Sequence, residues 1–454
     1  MASRTRTMVA PAYLFACLVL GGSAQGIWQN MLLQLAGVAI IAWAALDIGE
    51  EPLSLSARQL LIIAIAAVAV AVAQLIPLPP KLWIHLGPRE GLAEGFSVLG
   101  IPLPSEPLSM APMKALDSLL GIIPPLAVVC AMVRLRAYRP QWLAVALIGG
   151  TIAGIVLGAM QVANSNSELT PWYLYEDTNP GRGVGFFANA DHMATLLVVT
   201  IPFLAAMVAA AKTRSMQRYS AIIAVAAGLA IVILVGLALN RSLAGYGLAL
   251  PVVAGSALII IPAASRSRIW IIGLASLLVI GAVVGLETTA IGSGHIGEHA
   301  STAVQSRAEL LSQTTRAARD FMPFGSGLGS FQSVYPLYER PEQVTTTYVI
   351  HAHNDYAEIA LELGIAGIIL ILVFFGWWAA AAWRAWRSVE TGPFAKAAAI
   401  SSAAVLIHSF VDFPSRTAAI AAVFAMCLSL LANSRGAPPA EEAQLRGSRH
   451  VEFK

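Results

Sequence analysis

Hydrophobic residues in this chain come in long unbroken blocks rather than in the two-residue alternation of strands or the narrow stripe of an amphipathic helix. About 20 apolar residues carry a helix across a bilayer. The pattern predicts twelve such spans, at roughly 8–25, 29–48, 58–77, 115–134, 141–162, 188–211, 220–239, 242–263, 269–288, 361–383, 397–413 and 416–433. Three polar segments between them are long. Residues 78–114 are proline-rich, with Trp83 and an amphipathic run from Lys81 to Phe96, and predict a segment lying on the membrane surface. Residues 163–187 form a polar loop. Residues 289–360 form the largest extramembrane region, in which 301–321 predicts a helix with Val304, Arg307, Leu311, Thr314 and Ala318 on one side.

Composition supports an all-α polytopic membrane protein. The 454 residues are 57% hydrophobic and 12% charged, against about 25% charged in a soluble domain. So little charge cannot cover a water-facing surface, and lipid admits only helices or closed barrels. The net charge of +3 is too small to indicate a nucleic-acid partner. Cys17, Cys130 and Cys427 each lie inside an apolar block, far apart, and read as small core residues rather than as a disulfide or zinc framework.

Lys and Arg mark the orientation. With the N-terminus inside, the inner segments hold Arg4 and Arg6, Arg58, Arg134, Arg136 and Arg139, Lys212, Arg214 and Arg218, Arg266 and Arg268, Arg384, Arg387 and Lys396, and the basic residues of the tail. Both termini are then cytoplasmic and the long loops face outward. The expected organisation is 1–168 as N-terminal membrane helices with an interfacial segment, 169–433 as a second membrane unit containing loop 289–360, and 434–454 as a disordered cytoplasmic tail.

The densest polar signal is His351-Ala352-His353-Asn354-Asp355-Tyr356, running into an apolar helix with Glu358 and Glu362 one turn apart. Asn354 or Asp355 can serve as the helix N-cap. A cap explains neither two histidines nor two glutamates at a membrane mouth, where ionisable groups are functional candidates. A histidine there can act as general base near neutral pH. A metal held by His351, His353 and Glu358 is the rival reading, although the spacing is not that of a zinc helix.

Outward-facing arginines are the second signal: Arg182 in Gly181-Arg182-Gly183, Arg241 in a short turn between two spans, and Arg307 in the large loop. Guanidinium groups bind phosphate oxygens bidentately, so together they suggest a diphosphate site; headgroup contact is the alternative for any single one. Arg416 is expected to pair with Asp412, and Arg319 and Arg340 to be solvated. Gly325-Ser326-Gly327-Leu328-Gly329 lacks the Lys-Ser/Thr of a nucleotide loop and reads as a turn that lets backbone approach a ligand or helix. Asn189-Ala190-Asp191-His192 opens a span, with Asn189 or Asp191 as a cap and His192 either structural or facing a cavity.

In this order the pieces resemble the O-antigen ligase and polymerase family of bacterial surface-polysaccharide enzymes. His353-Asn354, the nine residues Asp355 to Leu363, and Gly364-Ile365-Ala366-Gly367 reproduce the family's ligase motif at the end of the large outer loop. Gly185-Phe186-Phe187-Ala188-Asn189, Asn240-Arg241-Ser242 (with Asn where Ser is usual), Pro323-Phe324-Gly325-Ser326-Gly327 and Asp412-Phe413-Pro414 match further blocks, over about 170–430.

The resemblance implies a multi-helix, lipid-donor glycosyltransferase of the bacterial inner membrane. Its donor would be a polyprenyl-diphosphate-linked glycan and its acceptor a lipid core or another glycan, with membrane lipids as surroundings and no nucleotide sugar, cofactor or metal. His353 would be the base, and Arg182, Arg241 and Arg307 would hold the diphosphate. Asn189, His351, Asn354 and Asp355 are the further substrate-binding candidates. Ligase and polymerase use the same residues, and whether His351 or His192 shares the role of His353 stays open. A transporter or flippase is the alternative class; it predicts ionisable groups mid-span and related halves, which the clean spans do not show.

Overall fold

The computed structural model describes residues 5–47, 52–164, 171–211, 215–261, 296–344, 348–388 and 390–434, with backbone alone for 296–305 and Gln343. The chain is an all-α polytopic membrane protein. Its helices are α1 (Val9–Leu20), α2 (Ile27–Leu46), α3 (Leu55–Ala73), α4 (Glu90–Val98), α5 (Pro112–Val129, extended by a π turn to Arg134), α6 (Pro140–Ala163), α7 (Ala190–Ala211), α8 (Met216–Asn240), α9 (Leu243–Ile260), α10 (Ile296–Asp320), α11 (Asp355–Arg387), α12 (Pro393–His408) and α13 (Ala418–Ala432). Among the described residues eight helices are long and apolar enough to cross a membrane; α1, α12 and α13 are apolar but shorter. The predicted span 269–288 lies outside the described residues, as do the tail residues 435–454.

Side-chain caps fix several helix starts. Ser54 accepts from Ala57 N at the head of α3, Ser242 from Gly245 N at α9, Asn354 from Ala357 N at α11, and Thr417 from Ile420 N at α13. Pro140 opens α6, where the missing N–H costs nothing. The central helix is α7, buried on almost every side by α6, α8, α9 and α12. A hydroxyl pair, Thr151 with Thr200 at 2.8 Å, joins α6 to α7, and Ser401 Oγ donates to Val199 O at 2.8 Å from α12. One apolar core runs from Ala10 to Ala432 and includes both the first and the last helices.

The two ends of the bundle differ in charge. At one, Arg6 pairs with Asp47 at 2.8 Å, Arg134 and Arg136 reach the carbonyls of Asp47 and Pro52, and Arg384 reaches Ser56. Arg387 lies over Trp383 and Lys396 over Trp386 at the α11–α12 turn. The opposite end carries the histidines, the carboxylates and the large loop.

The segment 78–114, expected to lie on the membrane surface, has a folded core of its own. Trp83 is fully buried, its Nε1 donating to Pro104 O at 2.9 Å, and the segment closes on itself through the antiparallel pair Pro77–Leu78 with Glu106–Pro107. α4 has no buried residue, and Leu82, Leu99, Ile101 and Leu103 beside it are exposed as well. The segment packs on the large loop: Met110 N donates to Ser326 O at 2.8 Å. The predicted loop helix exists as α10, but its buried face is Gln313, Thr314, Ala317 and Ala318, continued by Phe321; Leu311 is exposed. The packing partners Phe331, Tyr335 and Leu361 select that face.

Candidate functional site

The motif His353 to Gly367 builds the centre. Asn354 caps α11, and its Nδ2 donates to Phe410 O at 2.9 Å. Asp355 N donates to Ser409 O, and Asp355 accepts from Ser409 Oγ at 2.8 Å. Both side chains are buried and consumed by bonds between the head of α11 and the α12–α13 turn, so they fix the frame rather than face a ligand. This placement leaves His353 at the lip with φ +49°, a left-handed conformation that costs an L-residue on the order of 1–3 kcal/mol and gathers at functional sites.

The imidazoles are each oriented by a carboxylate. His353 Nδ1 donates to Asp412 Oδ1 at 3.0 Å, and His351 Nδ1 donates to Glu358 Oε1 at 2.8 Å. His353 is about a third exposed, and its Nε2 has no protein partner among the described residues. Three imidazole rings, of His192, His351 and His353, pack around the Phe413 ring at centroid distances of 5.1, 4.3 and 4.9 Å. Burial pushes the Asp412 carboxyl upward, but the hydrogen bond from His353 and the nearby His192 and His408 outweigh it and hold it below the usual carboxylate range.

Arg416 does not pair with Asp412 as the sequence suggested. Its guanidinium meets Asp355 at 3.3 Å, Glu358 at 3.2 Å and Glu362 at 3.8 Å, all buried on α11. Burial would lower the proton affinity of Arg416; the three carboxylates reverse this and hold it above its ordinary value. A fork with five donors satisfies several carboxylates at once, whereas Asp412 already has imidazoles. His351 and His353 turn to separate carboxylates, and among the described residues no group of three His, Cys, Asp or Glu side chains is arranged to hold a metal ion.

Below the lip, α11 is broken. Gly364 has φ +58° and ψ −142°, and a Cβ there would stand 2.3 Å from Pro323 O. The glycine-rich block fills the gap with backbone: Ser326 N donates to Leu361 O, Gly327 N to Glu362 O, and Ile365 N to Pro323 O, each at 2.9 Å. Gly325, opposite, has φ +83° and would place a Cβ 2.4 Å from Glu362 O. The two glycine motifs are therefore one junction, which matches the expected close approach to a helix.

Arg307 reaches the head of α7, and the backbone segments that carry Arg241 and Arg182 pack beside it. Arg307 meets Asp191 Oδ2 at 3.3 Å, and Ser242 Oγ donates to Asp191 Oδ1 at 2.5 Å. Arg241, beside Ser242, ends α8 with φ +57°; its Nε is buried without a partner. Arg182 is placed by its neighbour Gly183, whose N donates to Leu239 O and whose O accepts from Asn240 Nδ2. Gln161 clamps the same loop, accepting from Val184 N and Gly185 N and donating to Gly185 O, all at 2.9 Å. Asn189 Oδ1 accepts from Asp191 N at 2.8 Å, a local cap for α7. Asp191, its neighbour His192 and then Asp412, 3.7 Å from His192 Nε2, link this arginine group to His353.

Sequence reading left several contributors out. His408 carried no signal beyond its apolar surroundings, Phe413 entered only as the middle residue of the Asp412-Phe413-Pro414 block, and Gln161 sat mid-pattern at the end of a span. Arg416 was legible as an outward arginine, but its partners were not. An apolar cavity of about 280 Å³ lies between α9, α11 and α12, lined by Leu248, Val252, Trp378, Ile400 and Ile407; Ile407 adjoins His408.

Residues 228–372 match the family described as O-antigen ligase. The matched stretch holds Arg241, Arg307, the glycine-rich block, His351, His353 and the Gly364 break. No curated protein matches the chain.

Proposed function

We propose that this chain, which matches the O-antigen ligase family over residues 228–372, moves a glycan from polyprenyl diphosphate to an acceptor hydroxyl at the periplasmic face of the bacterial inner membrane. The family match gives ligase- or polymerase-type function in general; the donor, the roles of the residues and the orientation are the proposal. The observation that carries it is the 3.0 Å contact of His353 Nδ1 with Asp412, which leaves Nε2 open at the lip of the bundle.

In this reading His353 Nε2 takes the acceptor's proton as the hydroxyl oxygen attacks the anomeric carbon and the bond to the diphosphate oxygen breaks. Arg241 and Arg182, without anionic partners among the described residues, and Arg307, only partly offset by Asp191, stabilise the charge that grows on the departing diphosphate. The apolar cavity suits an aliphatic chain entering from the bilayer. The basic opposite end fits the inward side by the positive-inside rule, which puts His353 outside. No metal is needed, since a base and fixed cations supply what the step requires.

The test is transfer by the His353→Ala variant, with membrane insertion verified. Loss of transfer supports the base; retained transfer removes it. Glycans from a strain lacking the protein then divide the two activities: absence of long chains on the lipid core marks a ligase, and single repeat units mark a polymerase.

A further inference from the structure

Asp412 is wholly buried, yet only one of its carboxylate oxygens is bonded. Oδ1 accepts from His353; Oδ2 has no partner. Its nearest cationic or donor group is His192 Nε2 at 3.7 Å, itself buried and without a partner. Two complementary orphans facing one another inside a protein are uncommon, because each costs roughly 1–3 kcal/mol when unsatisfied.

His408 is the other imidazole near Asp412, and its bonding excludes it as a donor. The Thr195 hydroxyl has one proton, directed at Asp191 O at 2.9 Å. Thr195 Oγ1 must then accept from His408 Nδ1 at 2.6 Å, which leaves His408 Nε2 a bare lone pair. The remaining charged neighbours are committed: Asp191 to Ser242 and Arg307, His351 to Glu358, and Arg416 to Asp355, Glu358 and Glu362. Among the described residues His192 is the group left to donate to Oδ2, and its ring is held edge-on between Phe187 and Phe413.

We infer that His192 is a positioning residue for the base: its Nε2–H shares Asp412 with His353, so that the carboxylate orients His353 without drawing a proton onto it. The inference rests on His353 being the base proposed above. A carboxylate with a second donor stabilises an imidazolium at His353 less than one whose charge is directed at His353 alone. After transfer the acceptor's proton sits on His353 Nε2, while Nδ1–H remains on Asp412, and no other bond is altered.

The experiment measures transfer across pH in membranes bearing the full-length protein, with donor and acceptor lipids extracted from a strain lacking it. For His192→Phe the acid limb of the rate–pH profile moves to higher pH by about one unit, while the alkaline plateau stays within about threefold of the unaltered protein. His192→Gln, whose amide can donate from a similar position, keeps the original limb. If the phenylalanine variant fails to insert, His192→Met carries the same expectation. An unmoved limb in a variant that inserts, or a glutamine variant that behaves like phenylalanine, overturns the inference while leaving His353 as base. Transfer by His353→Ala removes the base itself and this inference with it.

Discussion

His353 and Asp412 meet at 3.0 Å across 59 positions of sequence, joining the end of the large loop to the turn before the last helix. Asp412 is fully buried beneath a partly exposed imidazole, so the pair has an inner, enclosed member and an outer, accessible one.

Asp412→Asn leaves the volume unchanged but removes the charge that orients the base. Transfer is expected to fall by about a hundredfold or more, read as the initial rate with the protein's membrane level matched. The contact also gives a stability signature. Because the Asp412 carboxyl lies below the usual carboxylate range, its contribution is complete above about pH 4 and is lost as pH falls further toward its folded value. Thermal unfolding in detergent from pH 8 to 3 should show that acid-side loss reduced in Asp412→Asn.

Arg241→Ala and Arg182→Ala remove cations that are without anionic partners among the described residues. Each should raise the donor concentration needed for half-maximal transfer by about tenfold and lower the maximal rate, since diphosphate charge grows as the bond breaks. Unaltered donor dependence in both variants would remove the arginines from the donor site.

Arg416 stands opposite three buried carboxylates, and Arg416→Leu would strand them. Removing one partner of a buried ion pair costs about 3–5 kcal/mol, so this variant should be poorly retained in the membrane. Arg416→Lys restores the charge but not the fork that reaches Asp355, Glu358 and Glu362 together, and should recover only part of the thermal stability.

Gly364→Ala tests the broken helix. The added Cβ would fall 2.3 Å from Pro323 O in a left-handed backbone, where an L side chain is strained whatever the space. A loss of at least about 2 kcal/mol is expected, read as a lower unfolding temperature with transfer reduced in parallel. By contrast, Gly376→Ala, where a Cβ meets nothing within 4 Å, should be neutral.

EDTA should leave transfer by washed membranes unchanged. Loss of activity restored by a divalent cation would place a metal in a reaction assigned here to imidazole and guanidinium groups alone.

The membrane spans were legible because burial in lipid acts on continuous composition; eleven of the twelve apolar runs coincide with described helices. The site was legible where a residue's type is costly in its context, as for His353 at the mouth of a span or Arg241 in an outward turn. It was not legible where the partner decides. Arg416 adjoins Asp412 in sequence but turns to α11, because the carboxylates of one helical face present a larger opposing charge. Periodicity puts Leu311 on one side with Thr314 and Ala318, yet Leu311 is exposed while Gln313 and Ala317 turn inward beside the other two; Phe331 and Tyr335 pack against Ala317 and Ala318, a partnership no local spacing encodes. Trp83 reads as an interfacial anchor, and only the closing of the segment through Pro77 and Glu106 shows it to be a plug.

The helical stretch from Asp355 to Leu363 is gripped at both extremities: Asn354 and Ser409 fasten its head, and the glycine junction fastens its foot. It therefore works as a strut with neither end free to swing. His353, just before its head, is thereby carried on a segment anchored at both of its ends.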